Sequence, residues 1–335
     1  MRFLFAVLFA FAAVAQQPDY TITPSRGPVA GGTEVRITSR EDLGGWPYAL
    51  IFGETPVPAV LADSHTLLAT TPAHLPGTVP VTIFQYDFGI ATDLTFTFEG
   101  EAEEAFDRLL LPVFVPPIRG AFGSEFRTDL RISLDRSATA RVPIYGVMDP
   151  KIYGANVPWE LDEDPRSLRI EEGFGTPGRF IYVPKGRAKE LSMNLRAYDV
   201  SRASSNYGTQ IPIVPSSAFA TDGYSSKIGI IGVPTSPPFR SKLRIYGTPE
   251  SGAALDVDIE MHGVTEMRRV DLIPTGDLYT PGYAELDLPD GGIVNVWIRV
   301  HTPPISALLP APDIWAFVSV TNNETQHITT ITPRP

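Results

Sequence analysis

In this 335-residue chain, the residues best placed to bind a ligand are two tryptophans that neighbour glycine or proline. Trp46 follows a Gly-Gly pair, and Trp159 follows a proline, so both are expected in loops. An exposed indole ring is a flat apolar face on which a sugar ring can stack. We predict Trp46 and Trp159 as candidate ligand-binding residues, with packing of each ring against its own domain as the alternative. Trp297 and Trp315 stand in apolar runs and are predicted to lie in the core.

Two groups of carboxylates are dense enough to raise the question of a metal ion. Residues 160–164 read Glu-Leu-Asp-Glu-Asp, and Asp256, Asp258 and Glu260 alternate with apolar residues. Ca²⁺ needs several oxygens at one point, but neither group has the Asp-x-Asp-x-Asp-Gly spacing of a calcium loop. A solvated loop and the solvent-facing side of a strand are the simpler interpretations. We predict no metal site and no cofactor, and leave calcium at the acidic loops open.

Motifs for catalysis are scarce in this chain. It has no cysteine, which excludes thiolate nucleophiles, Cys-bound zinc and disulfides. The histidines form no His-x-x-x-His or His-Glu-x-x-His pair, and each is expected on the surface or in a loop. There is no Gly-x-Ser-x-Gly elbow and no phosphate-binding loop, although a Ser-His-Asp triad assembled across loops stays compatible with the sequence. The five histidines are His65, His74, His262, His301 and His327.

The charge balance bears on the class of partner. The chain carries 38 acidic against 27 basic residues, a formal net charge of −11. Such a balance disfavours a nucleic acid as partner, because binding a polyanion usually requires a basic surface. This net charge is still compatible with a local basic patch within the fold.

The N-terminus has the layout of a secretory signal peptide. Arg2 is followed by an apolar run from Phe3 to Val14, which ends in the small-residue motif Ala-Val-Ala. The run is short for a membrane helix, which needs about 20 residues. We predict that residues 1–15 are a signal peptide cleaved after Ala15, so that the protein is secreted, periplasmic or on the cell surface. No later stretch is predicted to span a membrane.

Short runs in which apolar and polar residues alternate, separated by turns, predict that the chain is built of β-strands. With 33 prolines and 28 glycines, the chain favours an all-β fold over long helices. Thr33–Thr38 alternates inward Val35 and Ile37 with charged residues. Six or seven such strands within residues 20–99, without the spacing of βαβ units, predict an antiparallel sandwich.

Residues 20–99 also carry a recognisable order of motifs. Pro-x-x-Gly-Pro-x-x-Gly-Gly-Thr-x-Val-x-Ile begins at Pro24, and Phe-Gly, Thr-Pro, Gly-x-Val-x-Val-Thr-Ile and a final Phe-x-Phe follow. This order resembles the IPT/TIG domain. The resemblance implies an immunoglobulin-like fold of a family found in cell-surface receptors, as spacers in extracellular enzymes, and in DNA-binding transcription factors. Pro80 departs from the pattern and is expected at a strand edge or bulge.

The rest of the chain contains one unit twice. Phe126–Ile132, Phe-Arg-Thr-Asp-Leu-Arg-Ile, returns as Phe239–Ile245, Phe-Arg-Ser-Lys-Leu-Arg-Ile, and Ala197 is paired with Ala316 as a second landmark. If the unit is duplicated, the two halves must have the same strand order. The recurrence of the arginines, Arg127 as Arg240 and Arg131 as Arg244, favours a scaffold role. The region also resembles, weakly, tandem β-rich segments of secreted bacterial proteins of unassigned function.

These observations predict an all-β chain of three consecutive immunoglobulin-like β-sandwich domains after a signal peptide. The predicted order is the domain at 20–99, an acidic linker at 100–107, a first sandwich at 108–215 and a second at 216–335. The predicted function is non-catalytic binding, adhesion or spacing, with envelope proteins or glycans as partners. The alternative is a secreted glycan-active enzyme or its carbohydrate-binding accessory module, which would need two carboxyl groups about 5 to 9.5 Å apart in a cleft.

Overall fold

Strands and short connections make up the computed structural model, and no α-helix occurs among the described residues. The chain forms two compact units, and the boundary between them lies between Glu101 and Ala102. The predicted signal peptide lies outside the described residues. The model describes residues 19–85, 88–90, 92–120, 123–135, 141–148, 157–162, 166–171, 173, 175, 177–201, 208–221, 225, 227–248, 252–301 and 311–333.

The first unit is a largely antiparallel sandwich in which β7 is shared by two sheets. The strand order is β1-β3-β6-β5-β4-β7-β9-β2, with β8 paired to β7 and β2 running parallel to β9. The strands are β1 Tyr20–Thr23, β2 Arg26–Pro28, β3 Glu34–Ser39, β4 Tyr48–Phe52, β5 Thr55–Asp63, β6 Thr66–Thr70, β7 Gly77–Gln85, β8 Phe88–Ile90 and β9 Thr95–Glu99.

Alternation of side chains builds the core of this unit. In β3 every second residue is buried, with Val35 and Ile37 fully inside. Phe52 and Phe96 meet edge to face with ring centroids 5.5 Å apart, and Phe98 lies 4.9 Å from Phe96. The sequence prediction of a strand with a core face at Thr33–Thr38 is therefore confirmed.

Pro80 marks the point at which β7 changes partners. Gly77–Pro80 pair with β9, whereas Val81 and the residues after it pair with β4. A proline has no N–H to donate to a ladder, so it fits a place where one ladder ends and the next begins. Its carbonyl still accepts from the Gly53 N–H at 2.9 Å.

The second unit contains two similar sets of strands. The first set is β10 Phe106–Pro112, β11 Ile118–Arg119, β12 Glu125–Leu134, β13 Val142–Ile144, β14 Trp159–Leu161, β15 Ser167–Ile170, β16 Gly178–Pro184, β17 Leu191–Asp199, β18 Thr209–Ile211 and β19 Val214–Pro215. The second set is β20 Lys227–Pro234, β21 Phe239–Gly247, β22 Ala253–Met261, β23 Val264–Leu272, β24 Gly282–Asp287, β25 Ile293–Val300, β26 Ile314–Asn322 and β27 Ile328–Ile331. Single 3₁₀ turns lie at Ala102–Glu104, Ala188–Glu190 and Ser216–Ala218.

Both sets have the same strand order. One sheet runs β15-β12-β17-β18 in the first set and β24-β21-β26-β27 in the second. The opposite sheet runs β20-β25-β22-β23 in the second set. In the first set β10 pairs with β16, a bridge joins Tyr145 after β13 to Tyr182 of β16, and β13 pairs with β14. The two halves therefore share the strand order that the duplication requires. Each half encloses its own apolar core.

The register corrects the second sequence landmark by four residues. Phe126 lies opposite Asp199, and its counterpart Phe239 lies opposite Asn322. On this register the counterpart of Ala197 is Val320, and Ala316 lies four residues earlier. An even displacement keeps every side chain on its own face of the sheet, so the error left the inward and outward pattern intact.

The outer faces of the two equivalent sheets differ in polarity. In β21 and β26 the outward side chains at one end include Tyr246, Trp315 and Phe317, and all three are buried. The counterparts at the same register positions of β12 and β17 are polar. They are Ser133 for Tyr246, Ser192 for Trp315 and Asn194 for Phe317.

The aromatic face of the second half receives the first half. The Tyr246 hydroxyl accepts from the Val113 N–H and donates to the Pro177 carbonyl, both at 3.2 Å. The Phe180 N–H donates to the Tyr279 carbonyl at 2.7 Å. These contacts explain why residues after Ala102 form a single compact unit although the sequence predicts two domains there.

Most of the segment predicted as a linker at residues 100–107 belongs to this second unit, which begins at Ala102. Ala102 and Phe106 are buried, and β10 already begins at Phe106. Arg108 is buried and its Nη1 lies 2.6 Å from Glu103 Oε1, an ion pair that fixes the 3₁₀ turn to β10.

Candidate functional site

A cleft of about 290 Å³ lies between the two halves of the second unit. One wall is the end of the first sandwich, where Phe126 and Thr128 continue the inward row of Leu130 in β12. The other wall is the outward face of β21, β26 and β27, with Phe317 at its apolar part. The cleft therefore joins an apolar floor to the polar surface of a sheet.

Five basic side chains and one carboxylate line this cleft. Glu125 accepts hydrogen bonds from Arg127 Nε at 3.3 Å and Nη2 at 3.0 Å just outside it. Counting Glu125 and Glu285, the cleft and its border hold two more cations than anions, in a chain of net charge −11. The basic residues are Arg119, Arg127, Arg240, Lys242 and Arg244, and the carboxylate is Asp287.

Glu285 organises the cations on the second wall. Its carboxylate lies 2.8 Å from Lys242 Nζ and 3.2 Å from Arg244 Nη1, and it accepts from the Tyr283 hydroxyl at 2.6 Å. Burial alone would raise the pKa of Glu285, but hydrogen bonds from Lys242 and Tyr283 and the charge of Arg244 outweigh it and lower that pKa. Glu285 is thus ionised and holds Lys242 and Arg244 in fixed positions.

Arg244 keeps one unused donor, which is buried. Nη1 donates to the Tyr283 hydroxyl at 2.6 Å, whereas the buried Nε meets no acceptor among the described residues. Burial raises the pKa of the Tyr283 phenol, so this hydroxyl stays protonated and remains a donor to Glu285.

Arg119 and Arg240 are the cations with the least compensation. Arg240 Nη2 contacts the neutral amide of Gln326 at 3.4 Å. Arg119 is exposed on the short strand β11, and no partner for it is found among the described residues. Two guanidinium groups without a paired carboxylate are free to bind an anion from solution.

The structure places the two candidate tryptophans in separate units. Trp46 lies between β3 and β4 and is 52% exposed, and its main-chain N–H donates to the Gly44 carbonyl at 2.8 Å. Trp159 differs from the loop expectation, because it begins β14 and packs against the core of the first sandwich. Its buried Nε1 meets no acceptor among the described residues. Neither residue lines the cleft.

Of the other two tryptophans, Trp315 lies at the contact between the two halves and Trp297 lies at the surface. Trp315 is buried as expected, although on the outward face of its sheet. Trp297 is half-buried outside the core, where Lys227 Nζ lies 4.6 Å from its ring centroid.

Two carboxylates of the acidic strand in the second sandwich, Asp256 and Asp258, pair with neighbouring arginines. Asp256 Oδ1 lies 3.0 Å from Arg269 Nε, and its Oδ2 lies 2.9 Å from His301 Nδ1. Asp258 pairs with Arg299 at 3.2 Å. No cluster of three or more metal-ligating side chains occurs among the described residues. In the acidic stretch at 160–164, Glu160 and Asp162 pair with one arginine, and residues 163 and 164 lie outside the description.

His74 lies in a loop, one of the two positions expected for it, but it is buried and not on the surface. It follows β6, is 1% exposed, and its ring stacks on Phe98 with centroids 4.8 Å apart. Nδ1 lies 2.8 Å from the Leu75 carbonyl and so carries the proton in the neutral ring. Burial lowers the pKa of His74 below its ordinary value.

We expect the first unit to lose stability as the pH falls below about 6.5, because the unfolded chain then takes up a proton that folded His74 resists. The loss continues down to the lower folded pKa, with a slope of at most about 1.4 kcal/mol per pH unit. Urea unfolding of the full chain at pH 7.5 and 5.5, followed by hydrogen exchange of peptides from residues 19–99, measures it. The His74→Gln variant is the control and should lack this component. Equal acid sensitivity in both proteins would contradict the assignment.

The cleft cations were missed as a site by sequence reasoning. The sequence indicates that Arg127 and Arg240 are equivalent, but their recurrence by itself favours a scaffold role and does not indicate a site. Both line the cleft, whereas Arg131 pairs with Asp129 at 3.0 Å and lies outside it. The usable signal was the pair of arginines four residues apart, and so on one face, of a repeated strand in an otherwise acidic chain.

Comparison with known proteins supports the fold class. The described strands define an all-β protein with immunoglobulin-like sandwiches. Residues 20–98 match the family model of the IPT/TIG domain, so the first unit carries such a domain and the expected resemblance is confirmed. No curated protein matches the chain.

One similar solved structure is gamma-CGTase from alkalophilic Bacillus clarkii. It is 14% identical, with 58% of this chain and 24% of that enzyme covered and a TM-score of 0.21. The chain thus spans about a quarter of that enzyme's length, and the likeness carries no functional argument. Among the described residues, no helix is long and apolar enough to cross a membrane.

Proposed function

We propose that this chain is an exported, non-catalytic binding protein whose ligand site is the cleft between the two halves of its second unit. The observation that carries the proposal is that cleft itself, which combines the buried ring of Phe317, an apolar floor and several basic side chains. Ligand sites in proteins are typically concave and mostly apolar, with a few oriented polar groups. Envelope glycans or envelope proteins remain the proposed partners.

The lining chemistry favours binding over glycan hydrolysis. Asp287 is the one carboxylate among the described lining residues, and it lies 3.5 Å from Lys242. A glycosidase of the usual two-carboxylate kind would need a second carboxyl group facing the same bond. Export is proposed from the sequence of residues 1–15, and a mature protein that begins at Gln16 is the expected result of N-terminal sequencing.

Blocking the cleft tests the proposal. Ser319 lines it on β26, outside the apolar core, so Ser319→Trp should fill the space and leave the sandwich folded. We expect Ser319→Trp to lose at least about tenfold in affinity for whatever the wild type captures from an envelope preparation, with glycans and proteins both identified. The matched control is Trp46→Ala, which changes an exposed aromatic residue outside the cleft and should bind as wild type. Capture that survives Ser319→Trp but fails with Trp46→Ala would move the site to the first unit.

A further inference from the structure

We infer that the cleft binds an oxyanion group, a carboxylate, sulfate or phosphate, on a ligand about the size of one sugar ring, and that Arg119 and Arg240 hold the anion. The inference rests on the proposed function and adds the chemical class of the ligand. It is carried by the placement of uncompensated cations in a concave, partly apolar site.

The two sets of cations in the cleft have different roles. Lys242 and Arg244 are already paired with Glu285, and Arg127 with Glu125, so these three mainly shape the wall. A guanidinium that lacks an anionic partner in the protein can offer two parallel N–H donors to an incoming oxyanion. Arg119 and Arg240 meet that description among the described lining residues.

The apolar surroundings of the arginines should strengthen the binding of an anion in this cleft. Phe126, Ile118 and Phe317 supply apolar surface beside the guanidinium groups, and apolar walls reduce the screening of charge by water. Arg244 also lines the cleft, but its Nε is buried and has no acceptor among the described residues, so it adds no donor that a ligand can reach.

The volume limits the ligand. At about 290 Å³ the cleft holds the volume of roughly ten water molecules, each taking ~30 Å³ in the liquid. A single acidic sugar or a small aromatic acid fits this space, and a longer polymer would place one unit in it.

The test uses the full chain and three anions, two of which are compared with a neutral counterpart. Glucuronate is compared with glucose, benzoate with benzyl alcohol, and inorganic sulfate reports on the anion alone. Saturation-transfer NMR detects binding at ligand concentrations up to about 10 mM, where a Kd near 1 mM is measurable. We expect glucuronate or benzoate to bind more tightly than its neutral counterpart, and higher salt to weaken that preference. The two organic probes separate an acidic sugar from an aromatic acid as the source of the anion.

Variants locate the anion. Arg119→Gln and Arg240→Gln should each weaken anion binding about 10- to 100-fold, while Arg240→Lys should restore part of it. Arg196→Gln is the matched control, because it removes the same charge from β17 outside the cleft. Thermal unfolding of each variant verifies that it is folded.

The outcomes separate this inference from the proposed function. Binding that Ser319→Trp abolishes but neither arginine variant changes overturns the anion assignment and keeps the cleft as the site. Failure of all three anions to bind, or equal loss with Arg196→Gln, also overturns the assignment. Capture from the envelope that is insensitive to Ser319→Trp overturns the proposed function itself.

Discussion

Replacing Tyr246 by alanine should lower the free energy of unfolding of the second unit by about 3 to 5 kcal/mol, the range for loss of a large buried aromatic side chain. Tyr246 is 0% exposed, and its ring stacks on Phe317 with centroids 6.3 Å apart. Its hydroxyl also links Val113 and Pro177 of the first half. The variant therefore leaves a cavity where the two halves meet. Urea unfolding of the full chain, with hydrogen exchange assigned to peptides of each unit, measures the change.

The control for this prediction is Tyr246→Phe, which removes only the hydroxyl group. The Val113 N–H keeps its bond to the Pro177 carbonyl at 3.0 Å, so we expect a loss of about 1 kcal/mol. Exchange in peptides of the first unit should be unchanged in both variants. Stability of Tyr246→Ala within about 1 kcal/mol of the wild type would show that this ring does not couple the two halves.

Two adjacent glycines of the first unit give the second large effect. Gly31 and Gly32 both have positive φ, +71° and +81°. A Cβ on Gly31 would lie 2.4 Å from the main chain of Pro72, whereas a Cβ on Gly32 would meet nothing within 4 Å. The left-handed conformation costs an alanine about 1 to 2 kcal/mol at either position. The clash with the Pro72 main chain adds a further cost of about 1 to 3 kcal/mol at Gly31 alone.

We therefore expect Gly31→Ala to destabilise the first unit by about 2 to 5 kcal/mol and Gly32→Ala by about 1 to 2 kcal/mol. The Pro72 main chain cannot move away cheaply, because the preceding Thr71 bonds Thr33 through its N–H and Gly32 through its carbonyl, both at 2.9 Å. Denaturation midpoints of the two variants, measured side by side in the full chain, give the difference directly. Equal losses would mean that the turn moves away from Pro72 without cost.

Local patterns were sufficient to predict the fold of the first unit. Alternation placed Val35 and Ile37 inside, and the Pro and Gly spacing from Pro24 to Gly32 marked the turn that distinguishes the IPT/TIG domain. These features are local, because side-chain direction in a strand and positive φ at glycine depend on neighbouring residues. The buried position of His74 was not predictable in this way, since it depends on Phe98, which is distant in sequence.

The candidate site could be predicted only in part, since it depends on which strand faces meet. Arg240, Lys242 and Arg244 alternate along β21, so the sequence does predict that they share one face. It does not predict that the end of the first sandwich covers this face and closes a cleft. The same limitation explains why Trp315 is buried outside its own core, and why residues after Ala102 form one compact unit. These features arise from packing between repeats and not from the pattern of either one.

The unequal outer faces of the repeats determine where repetition stops. The end of one repeat packs on the aromatic face of the next, which is a heterologous contact, and contacts of this kind can in principle extend into filaments without limit. The first repeat offers Ser133, Ser192 and Asn194 where the second offers Tyr246, Trp315 and Phe317. A further copy would find no aromatic surface there to bury. The polar side chains on the outer face of the first repeat therefore prevent another repeat from packing there in the same way.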